Sequence, residues 1–213
     1  MRKIITSLEL GSEMMRGCVS AVSLRQPPEV LALDNIPSNG IAAGAITDFE
    51  AARNDVCDLI GRLEKMINGS IRRVSVSISG KGIGVTEAHG MIALSKKPRQ
   101  IWTRDVRRCE KVAGMVMLPE DRLIMHECVR CYSINEGEVV RDPVGLYATK
   151  LAASVYLVTA DLSLVKNMRK CVEQTGYLLE DIVVSPVALS ESILVNGSAG
   201  KTTAIIDIGG DST

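Results

Sequence analysis

Two short segments of the sequence each place an acidic residue next to glycine at the end of an apolar run. They are Glu9-Leu10-Gly11-Ser12 and Asp207-Ile208-Gly209-Gly210. Glycine lets the backbone approach a phosphate closely and direct its amides at it, and a carboxylate at a strand end can hold a hydrated Mg²⁺ ion. One such segment is commonly only a turn. Two of them, each closing the first strand of an α/β unit, predict hairpins that hold a metal-bound triphosphate between two domains.

The residues around the first segment predict a mixed α/β layer. Apolar runs at 4–10, 16–24 and 30–36 are joined by short turn-forming connections, one of them Gln26-Pro27-Pro28, which favour antiparallel strands. Thr47 and Glu50 have capping-box spacing and predict the start of a helix. That helix ends at Asn68-Gly69, is followed by a strand at 74–79, and has an apolar stripe formed by Phe49, Ala52, Val56, Leu59, Leu63 and Met66.

The pattern changes at Gly80-Lys81-Gly82-Ile83-Gly84, which we interpret as a hinge crossing into an inserted module. The module is predicted to contain a strand, a helix and two more strands, at 85–94, 103–116, 122–134 and 148–158.

The first layer then resumes. Asp161 is the expected N-cap of a helix that ends at Gly176, and Pro186 suits the first turn of another helix that runs to about residue 195. Strands are predicted at 181–184 and 203–208. The predicted domains are residues 1–83 with 160–200, the insert at 84–159, and 201–213 as the first strand of a second domain.

Composition excludes several classes of function. Lys plus Arg and Asp plus Glu number 25 each, so net charge gives no reason to expect a nucleic-acid partner. The sequence contains no bilayer-spanning tract and no secretory signal, which predicts a cytoplasmic protein. Its six cysteines are expected to be reduced thiols, and Cys128 and Cys131 would point to opposite faces of a strand rather than bind a metal.

Other motifs are interpreted as structural. Residues 197–202 resemble a P-loop but have two residues between the glycines instead of four, and a predicted strand follows them. His89 and His126 are interpreted as ordinary strand residues, and Lys96-Lys97-Pro98-Arg99 as a solvated loop.

The order of motifs resembles the N-terminal half of the FtsA family of bacterial cell-division proteins, in the actin/Hsp70/sugar-kinase superfamily. Between the two acid–glycine segments, the shared motifs are Ile36-Pro37-Ser38-Asn39-Gly40, Ser77-Ile78-Ser79-Gly80, Arg141-Asp142-Pro143-Val144-Gly145-Leu146, Lys170-Cys171-Val172-Glu173 and the helix from Pro186 to Glu191. The resemblance implies an α/β, ribonuclease H-like or actin-like ATPase domain with a mixed sheet and helices. It also identifies the insert as a strand-helix-strand-strand (SHS2) module.

The resemblance implies ATP and Mg²⁺ as cofactors and at most weak ATPase activity at full length, with no catalytic residue identified. Glu9 and Asp207 are implied to hold the metal through water. The full set of implied cofactor-binding residues is Glu9, Gly11, Ser12, Asp207, Gly209 and Gly210. After Ser12 the family has a small residue and then lysine, whereas Glu13-Met14 stands here, and Asp211 follows Gly210. Carboxylates at these positions would repel phosphates and weaken ATP binding.

The implied partners are further copies of the chain in a filament, and division proteins that bind the insert. The tubulin-like division ring and the inner membrane are expected to bind only regions beyond residue 213. The full-length protein would be peripheral on the cytoplasmic face of that membrane. Two alternatives remain: a pilus-assembly ATPase of the PilM type, against which the segment 142–146 argues, and a sugar kinase, for which the sequence offers no positioned general base.

Overall fold

The computed structural model describes residues 2–24, 26–135, 137–194 and 203–211. They divide into two compact units, one within residues 1–83 and 161–213 and the other within residues 84–160. In the described part of the chain, no helix has both the length and the apolarity needed to cross a membrane. The six cysteines are free thiols.

The first unit is built on a mixed five-stranded sheet. The strand order is β13-β6-β1-β2-β3, in which β1, β2 and β3 are antiparallel neighbours and β6 runs parallel to both β1 and β13. The strands of this sheet are β1 (Lys3–Leu10), β2 (Met14–Ser23), β3 (Gln26–Pro37), β6 (Arg73–Ile78) and β13 (Leu178–Val184). The two-residue strands β4 (Ile41–Ala42) and β5 (Ala45–Ile46) form a separate hairpin, and the helices are α1 (Phe49–Ile67), α3 (Leu162–Glu173) and α4 (Ser185–Ile193).

Helix α1 packs its apolar stripe on β2 and β3. The buried stripe is Ala52, Val56, Leu59, Ile60 and Leu63, so the predicted members Phe49 and Met66 lie outside it. The helix approaches the sheet closely at Gly17, where an added Cβ would lie 2.6 Å from Leu63 Cδ1. Burial of these branched side chains is the main source of stability for the layer.

The predicted start of α1 is wrong by one residue. Asp48 is the N-cap, and its carboxylate accepts a hydrogen bond from the Ala51 amide at 3.0 Å. Thr47 lies just before the cap, where its amide donates a hydrogen bond to the Gly40 carbonyl oxygen at 2.9 Å. The predicted end is confirmed: Asn68 has a left-handed φ of 48°, and the Gly69 amide donates to the Glu64 carbonyl.

Two other predictions about strands are wrong. Strand β3 begins at Gln26 and includes Pro27 and Pro28, which were expected to form a turn. Proline is tolerated there because β3 is an edge strand with one unpaired side. The strand predicted at 203–208 is absent, and described residues 203–211 are irregular. A strand needs a neighbouring strand for its backbone hydrogen bonds, and the sheet in this unit ends at β3 and β13. The turn expected at 196–197 lies outside the described residues.

The second unit is a four-stranded sheet with one helix. The sheet order is β10-β9-β12-β7, and the short strands β8 and β11, which were not predicted, pair separately. The predicted bounds of β9 are confirmed. The elements of this unit are β7 (Ile83–Ala93), β8 (Arg99–Gln100), α2 (Thr103–Gly114), β9 (Arg122–Ile134), β10 (Glu138–Val140), β11 (Tyr147–Ala148) and β12 (Lys150–Asp161).

Helix α2 closes the core of this unit. Its buried side chains Val106, Cys109 and Ala113 join apolar residues from the strands in one cluster. Gly90 in β7 permits this approach, because a Cβ there would overlap the Ala113 backbone. Sequence periodicity predicts the helix, but only the glycine contact shows how closely it lies on the sheet.

A partly buried ion pair holds the start of α2, with the Asp105 side chain 5% exposed and the Arg99 side chain 32% exposed. Both guanidinium Nη atoms of Arg99 donate to the Asp105 carboxylate, at 2.7 and 2.8 Å, and the Trp102 amide donates to Asp105 Oδ2 at 3.0 Å. The Arg99 hydrogen bonds, followed by that of Trp102, lower the pKa of Asp105 from 3.8 to about 2 against the opposing effect of burial. Asp105 is therefore ionised in the folded protein at pH values where it would be protonated in the unfolded chain.

Asp105→Asn should lower the free energy of unfolding at pH 7 by about 2 kcal/mol. Because the folded-state pKa is depressed, the stabilisation is present above about pH 4 and disappears as the pH falls toward 2. Urea unfolding at several pH values tests this. The matched control is Asp58→Asn, which breaks an exposed pair with Arg62 and should cost a few tenths of a kcal/mol. Equal losses for the two variants would contradict the assignment.

Candidate phosphate-binding site

The loop between β1 and β2 is held on two sides. Gly11 is required by close packing, since an added Cβ would lie 2.5 Å from the Met14 carbonyl oxygen. Ser12 Oγ accepts a hydrogen bond from the Gly44 amide at 3.1 Å, and the Glu13 carbonyl accepts one from the Ser38 amide at 2.9 Å. The first predicted phosphate loop therefore has a defined conformation in the folded chain.

The second component is the turn between β4 and β5. Ala43 and Gly44 both have left-handed φ values, 48° and 77°, and they lie against Gly80, whose φ is 112°. A Cβ on Gly80 would be 2.5 Å from the Ala43 carbonyl oxygen, and one on Gly44 would overlap the Ser79 carbonyl oxygen. This direct backbone contact places the turn so that its Gly44 amide faces Ser12 of the first loop.

Residues 210–211 join these two components. A Cβ on Gly210 would lie 2.8 Å from Glu13 Cβ, and Asp211 Oδ2 accepts a hydrogen bond from the Ala43 amide at 2.9 Å. Three segments that are distant in sequence thus meet at one place in the first unit.

The meeting point is a polar cavity of about 470 Å³ lined by Ser12, Glu13, Ser38, Gly210 and Asp211. Its lining side chains carry two carboxylates and two hydroxyls. The Ser38 hydroxyl oxygen is buried and has no hydrogen-bond partner among the residues that the structure describes, and such a group normally finds one. Oxygen ligands of this kind fit a hydrated divalent cation, whereas two carboxylates repel a bare polyphosphate. The donor set therefore fits a metal-bound polyphosphate better than a free one.

The predicted site residues lie in three different places in the structure. Ser12 and Gly210 line this polar cavity, with Gly11 next to Ser12 in the same loop. Asp207 and Gly209 are exposed in the irregular segment. Glu9 borders a second cavity of about 310 Å³ on the sheet surface, where its carboxylate accepts a hydrogen bond from Arg16 at 2.9 Å. The two loops thus meet through their glycine ends and the following acids.

Sequence reasoning missed the contribution of Ser38 and of the Ala43-Gly44 turn. Ser38 lies in the motif at 36–40, but its burial depends on packing against the first loop. Glycines at 40 and 44 were the available signal for a tight turn. Among the described residues, no three His, Cys, Asp or Glu side chains form a ready metal-binding cluster.

Gly44→Ala should destabilise the first unit by several kcal/mol, because it combines an unfavourable φ with a clash against the Ser79 carbonyl. Thermal unfolding measures the change. Gly61→Ala is the matched control: Gly61 lies inside α1, with nothing within 4 Å of an added Cβ, so alanine should stabilise the helix by about 0.5–1 kcal/mol. A neutral result for Gly44→Ala would contradict the backbone contact.

Comparison with known proteins identifies relatives of this chain. Residues 80–159 match the family model described as the SHS2 domain inserted in FtsA. The cell division protein FtsA of Pseudomonas aeruginosa is 28% identical over 211 residues, covering 99% of this chain and 50% of that protein. FtsA of Bacillus subtilis is 25% identical over 211 residues, with coverages of 99% and 48%. The chain spans about half the length of these relatives.

The fold has a counterpart among solved structures. A chain of the PilM–PilN type IV pilus biogenesis complex superposes with a TM-score of 0.55 at 12% sequence identity, covering 88% of this chain and 49% of that one. Identity this low shows the fold alone. The architecture is that of the actin-like ATPases, with a mixed sheet, flanking helices and an SHS2 insert.

Proposed function

We propose that this chain is the nucleotide-binding portion of an actin-like division adaptor. Its sequence is similar to the N-terminal half of the FtsA cell-division proteins, and residues 80–159 match the model of their inserted SHS2 domain. The observation that carries the proposal is the SHS2 match at residues 80–159. The rest of the chain supports it, because 99% of the chain aligns with the N-terminal half of FtsA. The complete adaptor would connect the tubulin-like division ring to the cytoplasmic face of the inner membrane. It would also recruit later division proteins.

The proposed partners divide between the chain and the rest of the adaptor. Self-association into filaments and recruitment of division proteins are assigned to the SHS2 insert. Ring binding and the principal membrane attachment are assigned to parts of the adaptor beyond residue 213. The PilM-like fold by itself does not favour a pilus role, because fold similarity at 12% identity carries no partner specificity.

The proposed nucleotide site is the polar cavity together with its two loops. Gly11 and Ser12 would contact phosphate from one side and Gly209 and Gly210 from the other. ATP with Mg²⁺ would supply a polyphosphate whose charge the metal partly neutralises. Glu9 and Asp207 would hold the metal through water, and for this Glu9 must exchange its Arg16 partner. Hydrolysis is not assigned to this chain alone.

Glu13 and Asp211 should oppose phosphate binding through their charge. The variants Glu13→Gln and Asp211→Asn keep side-chain shape, and the asparagine can still accept from the Ala43 amide. In metal-free buffer, each should bind inorganic triphosphate roughly tenfold more tightly than the unmodified chain, the effect of about 1.4 kcal/mol of removed repulsion. Calorimetric titration measures it.

The matched control for these variants is Glu50→Gln, which removes an exposed acid paired with Arg53 on α1. It should leave triphosphate affinity unchanged. Equal affinities for all four proteins would locate phosphate away from the polar cavity.

Overproduction of this chain in its own bacterium should block division and lengthen the cells, because it would occupy division partners without the rest of the adaptor. A version in which a short linker replaces residues 84–160 should lose this effect if the insert binds those partners. Cell length under the microscope is the readout. Normal cell length with loss of pilus-dependent motility would instead support the PilM-type alternative.

A further inference from the structure

Positive charge is concentrated in one stretch of the insert. Residues 96–111 contain seven of the 25 basic residues and only two of the 25 acidic ones. Both acids are engaged within the fold: Asp105 pairs with Arg99, and Glu110 accepts a hydrogen bond from the Tyr132 hydroxyl. The exposed charges of this stretch are therefore all basic in a chain whose net charge is zero, and the acid that lies against the end of α2 from another element is Glu127, next to Gly114.

Packing of α2 orders these charges into a stripe. The buried face of the helix is turned to the sheet, so Arg104, Arg107, Arg108 and Lys111 are exposed. Their spacing of three or four residues puts them along one side of the helix. Arg108 also donates to the Ala93 carbonyl at 3.0 Å, which ties this stripe to the end of β7, just before exposed Lys96 and Lys97.

Apolar side chains protrude at both ends of the stripe. At the start, Trp102, the only tryptophan of the chain, is 50% exposed and Tyr147 is 66% exposed. They lie on neighbouring segments, since the Ile101 amide donates to the Leu146 carbonyl at 2.9 Å. At the other end, Met115 is 69% and Met117 is 99% exposed. Large apolar side chains exposed beside polar residues are a feature of interaction surfaces.

We propose that this basic face, defined by Trp102, Arg104, Arg107, Lys111, Met115 and Met117, contacts an anionic lipid membrane. Lysine and arginine next to a bilayer are attracted by anionic headgroups. Tryptophan and tyrosine prefer the boundary between headgroups and acyl chains, and exposed apolar groups can enter that boundary.

A lipid surface fits better than an acidic protein segment. Met117 is almost completely exposed, so a protein partner would need a pocket matched to it. Acyl chains accommodate a protruding side chain without such a pocket. The inference is independent of the proposed nucleotide and division roles, because it depends only on the surface of the insert.

The whole chain should bind vesicles of phosphatidylcholine with one-third phosphatidylglycerol, and bind vesicles of phosphatidylcholine alone at least tenfold more weakly. Trp102 supplies an intrinsic probe: its fluorescence should shift to the blue on binding, as the indole leaves water. Co-sedimentation with the vesicles gives an independent affinity, which should fall steeply as salt is added.

Two variants separate charge from apolar insertion. Arg104→Glu, Arg107→Glu and Lys111→Glu together should weaken vesicle binding roughly a hundredfold. Met115→Ser with Met117→Ser should weaken it roughly tenfold and, because Trp102 remains, reduce rather than abolish the blue shift. The matched control is Arg62→Glu, Lys65→Glu and Lys166→Glu, which makes the same charge change at exposed positions of α1 and α3. Thermal unfolding of each variant verifies its fold.

The proposal is overturned if the control weakens binding as much as the reversed stripe, or if neutral and anionic vesicles bind equally. Binding of a soluble polyglutamate peptide is measured alongside binding of the anionic and neutral vesicles. If it binds the chain and alters Trp102 fluorescence while the vesicles do not, the basic face recognises an acidic protein segment instead.

Discussion

The backbone contact between the Ala43-Gly44 turn and Gly80 is the constraint on which the candidate site depends. Side chains on either glycine would meet carbonyl oxygens of the other segment, so the two can touch only as glycines. The contact orients two amides of the turn, one toward Ser12 Oγ and one toward the Asp211 carboxylate. Without it, neither the first loop nor residues 210–211 would have these hydrogen-bond donors.

The same contact explains the unusual electrostatics of the polar cavity. The amides of Ala43 and Gly44 are already used by oxygen atoms of the chain itself, and Glu13 and Asp211 add negative charge. A polyphosphate would have to bring a cation or displace Asp211 from the turn. The chemistry of the site therefore depends on how the β1–β2 loop, the Ala43-Gly44 turn and residues 210–211 pack together. The acid–glycine motifs alone do not predict it.

In the insert, the two faces of helix α2 have different roles. Its inner face seals the core through Val106, Cys109 and Ala113, and the Arg99–Asp105 pair secures its start. Because those contacts set the rotation of the helix, its arginines are presented together on the outside. The basic face is thus a consequence of core packing and of the short spacing between charges.

Local patterns in the sequence determined the positions of the helices, most strands of the two larger sheets and the ends of β9, because apolar periodicity and glycine act over a few residues. The same patterns identified both acid–glycine segments and the family resemblance. Tertiary contacts decided what local patterns could not: they moved the α1 cap to Asp48, kept Pro27 and Pro28 in an edge strand, and left 203–208 without a strand partner. They also brought Ser38, the Ala43-Gly44 turn and Asp211 to one cavity. These contacts depend on packing between residues far apart in the chain, which spacing along the sequence does not predict.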